Sequence, residues 1–187
     1  MEKRKKLQVM NLTKDYEQHI PVVRNISFDV YEGEFLSILG SSGCGKTTLL
    51  RMLIGVLPPT TGTIIKDGAD ITVAQPADRG MGIVFQNYAL FESMTVFMNV
   101  AYALKLRRVP DYKAKTMDML ERMGLAELKD KKPAELSSGQ QQRVAIARTM
   151  VLRPDVILFD EPLSALDVST RLLMRREIKA LQEEFGV

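Results

Sequence analysis

The chain has 187 residues, 45% of them hydrophobic, a formal net charge of +3 and one cysteine. That length suits one globular domain or a core with an inserted subdomain; so mild a charge gives no argument for nucleic acid, and one cysteine excludes an internal disulfide framework and fits a reducing compartment. No apolar run approaches the ~20 residues of a membrane span, and no apolar segment follows the basic start as a secretory signal requires, so the chain reads as cytosolic, any membrane link being made through a partner.

The basic start itself, Lys3-Arg4-Lys5-Lys6, reads as a solvated tail that aids solubility rather than as an arm for anionic lipid or RNA. From Leu7 to Leu39 the pattern is one of short strands. Gln8–Leu12, then Val22-Val23 and Ile26–Val30, alternate apolar and polar residues as half-buried antiparallel strands do. Glu32-Gly33 predicts a turn into Phe35-Leu36-Ser37-Ile38-Leu39, an apolar run suited to a buried strand. Lys46 to Ile54 is helical in character and ends at Gly55 with Pro58-Pro59 beyond. Thr63–Lys66 with Asp67-Gly68 predicts a strand and turn, and Gly82–Phe85 another buried strand.

From Thr95 to Leu152 the character becomes helical. Phe97, Val100, Ala101, Leu104 and Leu106 are expected to form one apolar face. Pro110 suits the first turn of the next helix, which Met117, Leu120 and Met123 line and Gly124 stops. Ser137 or Ser138 can cap a helix running through Gln141 to Met150. A strand, Val156 to Phe159, follows; a last helix is expected from about Val168 to Phe185, with Met174, Ile178, Leu181 and Phe185 at helical spacing. The fold class is therefore α/β: a mostly parallel core, an antiparallel β subdomain at the N-terminus and an inserted helical subdomain.

Two stretches carry chemistry. Gly40-Ser41-Ser42-Gly43-Cys44-Gly45-Lys46-Thr47, with Thr48 next, fits the phosphate-loop pattern G-x-x-x-x-G-K-[ST] between a strand and a helix. Its glycines let backbone N–H groups turn inward around phosphates, the following helix presents its positive end, and Lys46 adds a mobile cation. Thr47 is the expected hydroxyl ligand to Mg²⁺. Cys44 lies within this loop, where any small residue fits and where bound nucleotide would shield the thiol. The second stretch, Val156–Phe159 followed by Asp160-Glu161, puts two acids at the carboxyl edge of a sheet, where ligands bind in open α/β folds. Alone it would read as a strand leaving the core. Paired with a phosphate loop, Asp160 is expected to hold Mg²⁺ through water, and Glu161 to orient and deprotonate the attacking water.

Leu136-Ser137-Ser138-Gly139-Gln140, followed by Gln141-Gln142-Arg143, resembles the signature motif of ATP-binding cassette (ABC) ATPases. Gln86 resembles that family's glutamine loop, which senses the γ-phosphate and Mg²⁺ and faces the membrane subunits. Ser164-Ala165-Leu166-Asp167 matches the loop that crosses the dimer interface, and Tyr16 resembles the aromatic that stacks on adenine. The resemblance spans essentially the whole chain and is closest to importers of the polyamine, ferric-iron and sugar type. It is carried by Phe85–Phe91, Met94-Thr95 and Pro133–Leu136.

What the resemblance implies is a P-loop NTPase core with ATP and Mg²⁺ as ligands. Residues 1–90 and 151–187 would form the nucleotide-binding core, and 91–150 the helical subdomain carrying the signature. Two such subunits would dimerise head to tail, ATP lying between the phosphate loop of one and Ser137–Gln140 of the other. Closure would then drive transmembrane permease subunits fed by an extracytoplasmic receptor, placing the chain on the cytoplasmic face of the membrane.

Two departures qualify the likeness. Ser138 stands where the family has its first signature glycine, and a side chain there is expected to weaken closure without abolishing it. The family's switch histidine has no counterpart, since the only histidine is His19. The expectation is a chain lacking the last core strand, a fragment with weak or no ATPase activity of its own, because unpaired groups in a buried sheet cost about 1–3 kcal/mol each. The competing readings are a non-hydrolysing nucleotide-binding remnant and a soluble non-transport cassette ATPase.

Overall fold

The computed structural model describes residues 4–16, 21–41, 43–160, 178–180, 182–183 and 185–187. The chain divides into two compact units, Met1–Met81 with Leu163–Val187, and Gly82–Pro162.

The first unit is built on an antiparallel sheet. Strands β1 (Lys5–Asp15), β2 (Pro21–Tyr31), β3 (Thr61–Lys66) and β4 (Ala69–Asp70) lie in the order β2-β1-β3-β4. Leu7 and Val9 face inward, and a register shift before Leu12 moves the inward face from odd to even positions. The shift centres on Asn11, whose φ of 50° marks an inserted residue. Without it Leu12 would point to solvent. Helix α1 (Lys46–Ile54) packs against β2. It buries Leu49, Leu50, Met52, Leu53 and Ile54, each contributing roughly 1.5–3 kcal/mol of hydrophobic stabilisation. Gly55 closes the helix in the left-handed conformation expected of a C-terminal glycine.

Arg79 is the largest fully buried side chain among the described residues of this unit. It has no carboxylate partner among the described residues. Its guanidinium donates to the carbonyls of Met52 and Leu53 at 2.9 and 2.8 Å, of Ala74 at 3.0 Å and of Thr72 at 2.9 Å. Burial pushes its pKa below the ordinary arginine value. The negative end of α1 supplies the compensating field.

The strand expected at Phe35–Leu39 is absent: residues 34–40 lie in no ladder. Phe35, Leu36, Ile38 and Leu39 are exposed, Leu39 at 87%. A strand has no hydrogen bonds within itself, so an apolar run becomes one only where a neighbour offers a ladder. Here none is paired with it.

In the second unit, β5 (Met81–Val84) pairs with β6 (Val156–Phe159). The N–H of Asp160, just past β6, donates to the carbonyl of Val84 at the end of β5 at 3.0 Å, so the two carboxyl ends lie side by side and the strands are parallel. Helices α2 (Val96–Leu106), α3 (Tyr112–Arg122) and α4 (Ser138–Met150) pack on one another. Val144, Ala145, Ile146 and Ala147 of α4 are all buried, so this helix is covered around most of its circumference, Arg143 being exposed. The first amides of α2, Val96 and Phe97, donate to Lys131 and Lys129 carbonyls at 2.8 and 2.9 Å, while Thr95 caps Met98 N–H.

Two helical expectations need correction. Leu106 is 72% exposed, because it stands about 200° around the helix from the buried Leu104 and cannot share its face. Pro110 lies outside α3, which starts at Tyr112 after a left-handed Asp111. Of the last predicted helix, residues 178–180, 182–183 and 185 are helical and Ile178 is buried. The other expected positions, Met174 and Leu181, lie outside the described residues.

Candidate functional site

In the first unit the phosphate loop leads straight into α1. Gly45 occupies the N-cap with φ 96° and no side chain to cap the first turn, and its missing Cβ would stand 2.7 Å from the Val22 carbonyl of β2. No other residue meets both demands. The amides that follow are thus directed by backbone alone, the arrangement that receives a phosphate at a helix N-terminus. Lys46 folds back over the loop, its Nζ donating to the carbonyls of Gly40 at 3.0 Å and Ser41 at 2.9 Å. The Cys44 N–H turns to the Ser41 carbonyl at 3.3 Å, and its Sγ lies 4.0 Å from Lys46 Nζ, in the space a side chain on Gly40 would need. Cys44 and Gly43 are exposed, while Thr47 and Thr48 are half-buried in the first turn of α1. Ser42 lies outside the described residues.

Tyr16 follows β1 and is 47% exposed, with Lys14 Nζ 5.8 Å from its ring centre. The β1–β2 ladder relates it to the loop: its neighbour Asp15 pairs with Pro21, and the next residue, Val22, is the one whose carbonyl abuts Gly45.

In the second unit, the parallel β5–β6 pair brings two expected residues to one sheet edge. Asp160 is 6% exposed at the end of β6. Gln86 is exposed in the turn two residues past Val84, the acceptor of the Asp160 N–H. Thr47, Asp160 and Gln86 all offer oxygen, the donor class that Mg²⁺ takes. Among the described residues no cluster of three His, Cys, Asp or Glu side chains is set for a metal. Glu161 and Ser164–Asp167 lie outside the described residues, as does His19.

The signature run starts α4, and the cap is Ser137 rather than Ser138. Ser137 Oγ accepts the Gln140 N–H at 3.3 Å, and Gln140 Oε1 accepts the Ser137 N–H at 2.9 Å, a reciprocal capping box. Those two side chains are therefore engaged in starting the helix. Ser138, exposed, and Gly139, half-buried, head it. A Cβ on Gly139 would meet nothing within 4 Å.

Two residues absent from the sequence expectations hold the segment after Gln86. Arg148 of α4 donates to the carbonyls of Tyr88 at 2.8 Å and Ala89 at 2.6 Å. Asn99 of α2, fully buried, accepts the Phe91 N–H at 2.9 Å and donates to the carbonyls of Phe91, Met94 and Thr95. The signal available in the sequence was an amide and a guanidinium within otherwise apolar helix faces. Such groups are retained in a core only where they are hydrogen-bonded.

The model of the ABC transporter family matches residues 23–164. The chain is 48% identical over 183 residues to the spermidine/putrescine import ATP-binding protein PotA of Marinobacter nauticus, covering 97% of this chain and 49% of that one. It is 46% identical over 182 residues to the molybdate/tungstate import ATP-binding protein WtpC of Pyrococcus horikoshii, covering 96% and 52%. The solved structure of CbiO1 from Clostridium perfringens, part of the ABC transporter complex CbiONQ, superposes with a TM-score of 0.88 at 31% identity, covering 98% of this chain and 76% of that one. The chain spans about half the length of the curated relatives it matches. Among the described residues no helix is long and apolar enough to cross a membrane. With phosphate loop, parallel strand pair and signature helix on one chain, and with the family model covering most of it, the chain belongs to the ABC transporter family, in its nucleotide-binding ATPase domain.

Proposed function

We propose that the protein is the ATP-binding and ATP-hydrolysing part of a membrane importer. The observation that carries the reading is the head of α1, where a left-handed Gly45 opens the helix and Lys46 Nζ lies over the loop carbonyls of Gly40 and Ser41. On this reading Gly40–Thr48 wraps the phosphates by backbone N–H groups, Lys46 leaves its carbonyl acceptors for the phosphate oxygens, and Tyr16 stacks on the adenine. Thr47, Asp160 and Gln86 would hold Mg²⁺, which when bound would neutralise charge on the transferring phosphoryl group. Glu161 takes the proton of the attacking water.

Ser137–Gln140 serve a nucleotide held by another subunit, either a second copy arranged head to tail or a paired ATPase. The segment after Gln86 meets the transmembrane permease subunits, and through them an extracytoplasmic receptor, so the protein works at the cytoplasmic face of the membrane. PotA and WtpC are named for a polyamine and for oxyanions, yet their identities to this chain are nearly equal. Cargo is therefore assigned to the membrane and receptor subunits.

Binding of a fluorescent ATP analogue with Mg²⁺, followed by phosphate release, tests the reading. The expected result is binding that Lys46→Ala weakens about 10- to 100-fold and turnover that Glu161→Gln abolishes without loss of binding. Equal binding by Lys46→Ala and the parent chain would overturn it. A second reading, binding without turnover, draws support from Phe35–Leu39, an apolar segment in no ladder immediately before the phosphate loop. Phosphate release by these 187 residues alone separates the two.

A further inference from the structure

The turn that carries Gln86 is under backbone strain. Tyr88 and Ala89, neither of them glycine, hold φ of 59° and 45° in succession. Their amides are taken locally, Tyr88 N–H by Phe85 O at 2.9 Å and Ala89 N–H by Asn87 O at 2.7 Å. Left-handed backbone is disfavoured for residues with a side chain and persists where surrounding structure over-determines it. Here one side chain holds the carbonyls of both residues. Arg148 donates one N–H to each of the two strained residues, Nη2 to Tyr88 O and Nη1 to Ala89 O, while its guanidinium carbon lies 5.6 Å from the Phe91 ring centre. Phe91 in turn meets Tyr102 of α2 with centroids 4.6 Å apart, and Asn99 holds the far end of the segment at Phe91, Met94 and Thr95.

Arg148 stands near the end of the same helix that Ser137 caps at its start. Arg148 lies ten positions beyond Ser138 on α4, about 15 Å along a rigid rod. Between them Gln142 also faces the turn: its Oε1 takes the Tyr88 hydroxyl at 3.4 Å, a long bond. Its Nε2 is buried with no acceptor among the described residues. A buried donor without a partner disfavours the arrangement that leaves it so. The joint between α4 and the turn is thus firmly tied at Arg148 and poorly satisfied at Gln142, which suits it to a second arrangement.

We propose that Arg148 is a positioning residue that ties the Gln86 turn to the signature helix, so that a displacement of Ser137–Gln140 is carried along α4 to Gln86. The proposal rests on the reading of Gln86 and Ser137–Gln140 as nucleotide-sensing groups. The requirement is for a fork. Two parallel N–H groups must reach two successive carbonyls, which a guanidinium does and an ammonium on a flexible stem does not.

The test compares the parent chain with Arg148→Lys, which keeps the charge, and with Arg148→Lys/Ala89→Gly, which relieves part of the backbone strain. Amide hydrogen exchange at residues 86–91 is expected to rise about tenfold in Arg148→Lys, with α1 unchanged. Affinity for the fluorescent ATP analogue stays within about twofold, while kcat for ATP falls about tenfold at unchanged KM, and Ala89→Gly restores part of that loss. Unchanged exchange at 86–91 in Arg148→Lys would overturn the proposal. So would faster exchange throughout Gly82–Pro162 with KM and kcat failing together, the result of a merely structural role. If the parent chain binds the analogue without turnover, the hydrolysis reading fails while the exchange measurement still decides the role of Arg148.

Discussion

The guanidinium of Arg79 occupies the space into which a side chain on Gly55 would project, so the glycine that ends α1 and the arginine that gathers its last carbonyls are a matched pair. Gly55 also has φ 89°, which L side chains rarely adopt. Gly55→Ala is therefore expected to destabilise the protein by about 2–4 kcal/mol, since backbone strain and displacement of a buried hydrogen-bonded charge add. Arg79→Met should cost a similar amount by taking the guanidinium from four carbonyl groups, of which Met52 keeps the Gly55 N–H. Urea unfolding reads both, and a double variant no worse than either single would show that the two act as one unit.

The Lys46 ammonium donates to the loop carbonyls of Gly40 and Ser41 and lies near the Cys44 sulfur, all within the loop that would wrap the phosphates. Lys46→Ala should weaken nucleotide binding about 10- to 100-fold, the worth of a charge-assisted hydrogen bond of roughly 1.5–3 kcal/mol. Its melting temperature without nucleotide should move by no more than a few degrees. A parallel loss of stability would mean that Lys46 is structural.

Cys44 is exposed in the loop that would wrap the phosphates. Maleimide labelling of this single thiol should be fast without ligand and suppressed by ATP with Mg²⁺. AMP, which does not fill the loop, should protect less. Labelling at the same rate in all three conditions would place the nucleotide elsewhere.

Gly139 and Ser138 make a contrasting pair. Among the described residues nothing demands glycine at 139, whose Cβ would meet open space and whose φ is not positive. Gly139→Ala in the first turn of α4 should leave stability unchanged or raise it by about 0.5–1 kcal/mol on helix propensity. It should nonetheless impair ATP-dependent dimerisation, the requirement lying with the partner's nucleotide. Ser138→Gly, at an exposed position, should strengthen that dimerisation. Light scattering of both variants with ATP checks the pair, and opposite effects on dimer formation from those stated would remove the signature from the interface.

Much of the architecture was legible in the sequence because it depends on neighbours along the chain. Helix α1 runs from Lys46 to Ile54 as its apolar spacing and Gly55 dictate. Ser137, three residues before Gln140, announces the capping box that opens α4. Leu106 leaves the apolar face of α2 because its spacing from Leu104 places it about 200° around the helix.

The phosphate loop, the strand ending at Asp160 and the signature run are written in residue types at fixed spacings, so the sequence alone determined the family and the candidate site. Only the tertiary structure decided that Phe35–Leu39 stays out of any ladder, that Arg79 closes α1, and that Arg148 and Asn99 hold the turn after Gln86. The physical reason is the same in each case. A strand or a buried polar group is settled by its hydrogen-bond partners, and those partners come from chain segments that no local pattern relates.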